Sequence, residues 1–296
     1  MGILIGCSGW SYDDWVGRFY PIDVAKDRGK WFSYYSQFFH TVEINSTYYR
    51  VPNDFMVRGW IKKASDIEGF EYSVKYPKLV THDSMVKGDL QTAMKQAGSF
   101  ESLCLVPMSD AGCLGCALLQ LSPYFQYDES TIDVLDSVLD SLSCDILPHA
   151  VEFRHRSWLD EEGKEIRDDV LDILGEKNVA NVLIDGPGSP ITKVQTADHA
   201  YIRFHGRNYD IWYREEDQDD HRINRYDYLY SNDQLKRWIP MIDEVGEKTK
   251  NVRLYFNNHG RAKAAKNALQ MMDLLSIKHK DKEIRLQDQM KLGSYE

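Results

Sequence analysis

The chain has 296 residues, 43% hydrophobic and 28% charged, an ordinary globular composition with material for one large core. Its 36 basic and 46 acidic side chains give a formal charge of −10. That balance argues against non-specific binding to nucleic acid or an anionic membrane, both of which need a positive field.

No apolar run approaches the roughly 20 residues needed to cross a bilayer, and no linker, repeat or low-complexity tract divides the sequence. The N-terminus, MGILIGCSGW, lacks the basic and long apolar regions of a signal peptide. The expected compartment is the cytoplasm, with no membrane association.

Eight short apolar segments recur along the chain, at 3–10, 41–47, 70–77, 116–123, 150–155, 181–186, 200–206 and 252–258. Each runs into a polar or charged residue at or just past its end. Helical stretches are expected at 29–39, 88–103, 130–142, 165–175, 232–245 and 261–275, between most of them. This order predicts an α/β fold, a single (β/α)8 TIM-type barrel spanning residues 1–277, with its chemistry where the strands end. The helix after strand 6 is expected to be reduced, because Gly186-Pro-Gly-Ser-Pro190 is a turn-rich exit. A long polar and aromatic loop, 206–230, follows strand 7 and has the length of a lid or clamp. Residues 278–296 alternate charges without an apolar face and read as an exposed tail.

Within several segments the residues alternate, and alternate residues of a barrel strand face the axis and the helices. Thr41-Val-Glu-Ile-Asn places Val42 and Ile44 toward the helices and Glu43 and Asn45 toward the axis. Glu152 pairs with Arg154 in the same way, and Arg203 with His205. Lys75, Gln120, Asp185 and Asn257 join them at or near strand ends. One such pair could be a buried ion pair that merely plugs the barrel. Three, with these companions, favour a site.

The residue types admit two chemistries. Glu43, Glu152, Asp185, His82 and His205 could hold a divalent metal, although no close-spaced ligand motif appears. Alternatively, Glu43 and Glu152 are a metal-free carboxylate pair, with His205 as a general base. Lys75, Arg154, Arg203 and Arg207 fall near strand ends and suit a phosphate or carboxylate. Trp10 and neighbouring aromatics could stack on a sugar or base, or simply pack the loops over the barrel. Phosphate-loop, dinucleotide and nucleophile-elbow motifs are absent, which disfavours kinase, Rossmann oxidoreductase and α/β-hydrolase chemistry.

Of the five cysteines, Cys104, Cys113, Cys116 and Cys144 could supply four ligands to a metal or an iron–sulfur cluster. Their spacing matches no standard site, and buried reduced thiols are the simpler reading.

As a set these motifs resemble the YecE-like family, the bacterial and archaeal domain of unknown function numbered seventy-two. The resemblance rests on Gly6-Cys-Ser-Gly-Trp-Ser-Tyr12 with Trp15 and Gly17-Arg-Phe-Tyr-Pro21, on Thr41-Val-Glu-Ile-Asn-Ser-Thr-Tyr-Tyr-Arg50, and on Val74-Lys75 with Thr81-His82. It continues through Val151-Glu-Phe-Arg-His-Arg-Ser-Trp158, Tyr201-Ile-Arg-Phe-His-Gly-Arg207, and Tyr255-Phe-Asn-Asn258 with Asn267-Ala268. Ser122 departs from the pattern where a second proline is usual, and the Cys113/Cys116 pair is not a general family feature. The resemblance implies a TIM-type barrel and no settled reaction.

The expected function is an enzyme of hydrolase or isomerase type, acting at the C-terminal barrel mouth on an anionic or polyhydroxylated ligand such as a sugar phosphate or nucleotide. Glu43, Glu152, His205 and Asp185 would be catalytic. Trp10, Asn45, Lys75, His82, Gln120, Arg154, Arg203, Arg207 and Asn257 would bind substrate. The competing expectation is a protein, endonuclease-like or purely binding, that recognises a nucleic-acid end or lesion.

Overall fold

The structure is a computed structural model describing residues 2–188, 192–212, 225–284 and 286. Nine parallel strands form one sheet: β1 (Gly2–Cys7), β2 (Thr41–Ile44), β3 (Glu71–Lys75), β4 (Leu114–Gln120), β5 (His149–Glu152), β6 (Val179–Asn181), β7 (Leu183–Asp185), β8 (His199–Phe204) and β9 (Asn251–Phe256). Their order is β6-β5-β4-β3-β2-β1-β9-β8-β7. The two end strands, β6 and β7, are consecutive in the chain and separated by Val182 alone. β6 pairs with β5 and β7 pairs with β8, so they are halves of one broken sixth strand. The barrel is therefore the expected eight-stranded one, closed around that break.

Helices cover the outside and alternate with the strands. Leu90–Phe100, Glu129–Asp140, Asp168–Glu176 and Lys263–Leu274 match expected helices within a few residues. The expected 232–245 helix is two, Asn232–Lys236 and Ile239–Lys248; Pro240 opens the second, where its missing N–H is tolerated. Asp54–Ser65 is a helix for which the sequence reading had no expectation. Its signal is present: Asn53 caps it by accepting from Met56 N at 2.9 Å, and Val57, Trp60 and Ala64 recur at helical spacing on the buried face. No helix occupies the described residues between β7 and β8, in keeping with the reduced helix expected there.

Two expectations at the edges change. Residues 213–224 of the expected long loop lie outside the described residues. At its end the loop is anchored to the barrel: Tyr230 is buried, and Asn267 holds it by accepting from its N–H and donating to its carbonyl, both at 3.0 Å, whereas Tyr209 and Leu229 are exposed. The expected exposed tail begins instead by packing back on the barrel, because Ile284 buries its side chain in the outer core and Lys282 donates to Tyr34. No helix among the described residues is long and apolar enough to cross a membrane.

The barrel axis is filled in tiers. At the floor, Arg253 of β9 makes a two-pronged pair with Glu71 of β3, at 2.6 and 2.9 Å. This is a structural plug, at the end away from the mouth. Above it Tyr255 shares its hydroxyl with Thr41 and Ser73, beside an apolar cluster of Cys116, Leu118, Ala150, Ala180, Val182, Ile184 and Tyr201. The tier at the strands' C-terminal ends is polar.

Candidate functional site

Alternation along the strands puts Glu43, Lys75, Gln120, Glu152, Arg203, His205 and Asn257 in that last tier. Arg203 is its centre, 1% exposed. Its Nη2 donates to Glu43 Oε1 at 2.7 Å, and its Nη1 donates to Glu152 Oε2 at 2.5 Å and to Gln120 Oε1 at 3.0 Å. The other oxygen of Glu43 accepts from the Tyr201 hydroxyl at 2.7 Å, and Asn45 donates to Oε1 at 2.9 Å. Glu152 Oε1 lies 3.1 Å from Arg154 Nη1 and 3.5 Å from His205 Nε2. Such a buried cluster is tolerable because each carboxylate accepts a hydrogen bond from Arg203, although Arg203 Nε and Glu152 Oε1 find no hydrogen-bond partner among the described residues.

These contacts set the ionisation of the site. Burial acts to raise the Glu43 carboxyl, but the Arg203 charge and the hydrogen bonds from Tyr201 and Arg203 outweigh it and hold it below its ordinary value. Glu152 opposes the same burial with Arg203, Arg154 and His205, and lies further below. Both are carboxylates at neutral pH, and neither can serve as a general acid there. Burial, aided by Arg203 and Arg154, lowers His205 to about 4, so its imidazole is neutral. Its Nδ1 lies 3.0 Å from Asn257 Nδ2, and its Nε2 lies 3.4 Å from Arg154 Nη1 and 3.5 Å from Glu152 Oε1.

Lys75 differs from all of these. It is 8% exposed. Nζ donates to Gln120 Oε1 at 3.1 Å and lies 4.0 Å over the ring of Tyr48. Among the described residues no carboxylate comes within ion-pairing distance of it. Burial, then Arg203 and Arg154, lower its ammonium to about 7, against the upward pull of Glu152 and Glu43. The turn after β2 fixes this arrangement: Thr47, at the start of Ser46–Tyr49, donates to Lys75 O at 2.5 Å, which seats Tyr48 beneath the amine. His82 meets the edge of Tyr48 at 5.0 Å, and burial with the nearby Lys75 and Arg154 lowers it to about 4.

Asn45, Gln120, Arg154, Asn257, His82 and Tyr48 are half-buried and rim the opening, whereas Glu43, Glu152, Arg203 and His205 form its buried floor. Arg154 also lines a narrow cleft of about 30 Å³. The cleft shares His155, Arg156, Leu159 and Gly188 with an open groove of about 890 Å³ between the loops after β5 and β7.

Two expectations are corrected by this geometry. Asp185 does not reach the mouth, because the inward residues of its broken strand are Val182 and Ile184. It points to the helix layer, where it accepts from Arg207 at 2.8 and 2.5 Å, Tyr230 at 2.9 Å and Trp238 at 2.7 Å. Arg207 is drawn away by the same contact. Trp10 is half-buried with its ring edge-on to Phe32, while Trp15 and Trp158 are fully buried in packing roles.

The metal expectations find no matching donor set. Among the described residues no three His, Cys, Asp or Glu side chains converge as ligands would, and Arg203 already supplies the cation that Glu43 and Glu152 share. Cys116 lies inside the barrel and Cys104, Cys113 and Cys144 in the outer core. Burial raises Cys104, Cys116 and Cys144 to about 12 and Cys113 to about 11, which keeps them thiols rather than metal-binding thiolates.

Tyr201 was missed as a member of the site, although it was within reach of the sequence, since it shares its strand face with Arg203 and His205. Thr47 shares the alternation of Glu43 and Asn45, but its bond to Lys75 O depends on a turn that no local pattern encodes.

A family profile described as "Protein of unknown function DUF72" matches residues 4–291. The UPF0759 protein YunF of Bacillus subtilis (strain 168) is 28% identical over 286 residues, covering 94% of this chain and 96% of that protein. A DUF72 family protein from Thermotoga maritima MSB8 superposes with a TM-score of 0.79 at 29% identity, over 93% of this chain and 100% of the other. A DUF72 family protein from Enterococcus faecalis V583 gives 0.77 at 22% identity, over 96% and 100%. An AP endonuclease, family 2, from Brucella melitensis shares the fold with a TM-score of 0.50 at 11% identity, over 93% of this chain and 99% of that one. Barrel, motifs and relatives agree, and this chain belongs to the DUF72 family.

Proposed function

We propose that the protein is a metal-independent acid–base enzyme, of isomerase or hydrolase type, acting at the barrel mouth on a small phosphorylated or polyhydroxylated substrate. The observation that carries this reading is the placement of a buried Lys75 in the polar tier at the mouth, beside carboxylates already committed to Arg203. A proton-transfer group works best with a pKa near the working pH, and of the groups gathered there Lys75 is the one near neutrality, at about 7. Glu43, Glu152 and His205 then act as positioning residues that hold Arg203 and Arg154. Arg154, the cation nearest solvent, takes the anionic group with its planar fork. Asn45, Gln120 and Asn257 orient hydroxyls.

The test is thermal stabilisation by inorganic phosphate and by sugar phosphates such as glucose 6-phosphate and ribose 5-phosphate. A shift in Tm that Arg154→Met abolishes, while the variant stays folded, is the expected result. No shift from any of these ligands at millimolar concentration sinks the reading. Nucleic-acid recognition is the competing outcome. It would show as binding of an end-bearing or abasic duplex whose affinity falls steeply with salt, through counterion release; the net charge of −10 speaks against it.

A further inference from the structure

Counting what surrounds the Lys75 amine shows what it can do beyond moving a proton. A neutral amine has two N–H groups and one lone pair. Gln120 Oε1 accepts one N–H at 3.1 Å, and the face of Tyr48, 4.0 Å away, is the natural acceptor for the other. Neither partner can donate to the nitrogen from those positions, so the lone pair is left unopposed by the described residues. Gln120 Oε1 also takes Arg203 Nη1, which turns its amide nitrogen away from Arg203 and Lys75. That nitrogen has no partner among the described residues, and Gln120 is half-buried at the rim.

We infer that Lys75 is a nucleophilic lysine that forms an imine with the aldehyde or ketone carbon of a small anionic substrate bound at the barrel mouth. This deepens the function proposed above and rests on it. The amine adds to the carbonyl carbon as the C=O π bond opens, and its proton passes through solvent to the oxygen. That oxygen takes a second proton and leaves as water, giving a protonated imine. No oxidant, reductant or further co-reactant is needed. Arg154, half-buried at the same mouth, would receive the phosphate or carboxylate of the same molecule.

The groups around Nζ fit this role. Arg203 of β8 and Arg154 beyond β5 disfavour the ammonium, while Glu152 of β5 and Glu43 of β2 favour it but are tied to Arg203. His82 beyond β3 is neutral at pH 7, its imidazole lowered to about 4, and Tyr48 turns its ring face to the amine. A lysine desolvated beside other cations is a recognised route to an imine-forming amine. With 8% exposure the amine is shielded from bulk water, which slows hydrolysis of the adduct.

The experiment is reductive trapping on the full-length protein. Glyceraldehyde 3-phosphate and dihydroxyacetone phosphate are incubated with it separately at pH 7 with cyanoborohydride, and the adduct is located by peptide mass spectrometry. Lys75 is expected to carry the label at about tenfold or more the occupancy of exposed lysines, whose amines are almost wholly protonated at that pH. Labelling should rise with pH through a midpoint near 7. Lys75→Arg should remove that peptide's label, and mapping on the unmutated protein remains decisive if the variant misfolds. Labelling scattered over surface lysines without preference, or absent altogether, overturns the inference. Phosphate stabilisation separates the two failures: if it persists without trapping, only the imine fails, and if it too is missing, the proposed site fails with it.

Discussion

Arg203 donates to Glu152 at 2.5 Å across the barrel, joining β8 to β5 at the floor of the mouth. The same guanidinium takes Glu43 on its other terminal nitrogen, so one cation neutralises two buried carboxylates. Arg154 and Lys75 stand above it. The chemistry proposed for the mouth depends on this division, with the acids consumed below and the amine left reactive above.

Arg203→Met should therefore destabilise the fold by about 3–5 kcal/mol, the usual cost of stripping one partner from a buried ion pair. Adding Glu43→Gln and Glu152→Gln should recover much of the loss. The pH dependence should reverse as well. In the native protein both carboxyls lie below their ordinary value, so their contribution is present above the unfolded pKa of about 4.5 and is lost as pH falls toward their folded values. Without Arg203 burial raises them, and stability should instead improve as the solution is acidified toward pH 5. Urea denaturation across pH 4–8 distinguishes the two slopes.

Lys75→Met should be more stable than the native protein at pH 6. The amine's folded value of about 7 lies under its ordinary 10.5, so between those limits the unfolded chain binds the extra proton and native stability climbs with pH. The advantage of the variant should shrink from pH 7 upward. A constant difference between the two denaturation curves would show that the lysine is not depressed.

Asp185→Asn should cost about 1–3 kcal/mol, since hydrogen bonds from Arg207, Tyr230 and Trp238 lose a charged acceptor. Phosphate binding at the mouth should not change, because this carboxylate faces the helices. Weaker phosphate binding in a folded variant would return Asp185 to the site.

Gly115→Ala should disturb the opposite end of the barrel. A Cβ there would meet Glu71 Oε1 at 2.6 Å and Arg253 Nε at 3.1 Å, forcing the floor ion pair to shift at a cost of about 1–3 kcal/mol. Calorimetry should register a lower Tm with ligand binding intact.

Much of this architecture is legible in the chain because period-two alternation is a local property. Glu43 with Asn45, Glu152 with Arg154, and Arg203 with His205 each announce a strand face that carries charge where a packed barrel would carry aliphatics. The sixth strand shows the limit of that reasoning. Its apolar run is evident, but Asp185 falls on the outward face because the inward parity passes through Ala180, Val182 and Ile184. A polar residue at a strand end is informative only when its parity is known. The Asp54–Ser65 helix was open to the same kind of reading, through its Asn53 cap and its Val57, Trp60 and Ala64 stripe.

By itself the sequence determined the barrel, the family and the set of polar residues at strand ends, since these follow from spacing and alternation within short segments. Tertiary structure decided which of those residues neutralise one another, and so which are left to react. That Arg203 consumes both carboxylates, and that among the described residues Lys75 meets an amide oxygen and a tyrosine ring rather than a carboxylate, depends on distances between strands far apart in the chain. Coulombic and desolvation energies follow those distances, and no local pattern encodes them.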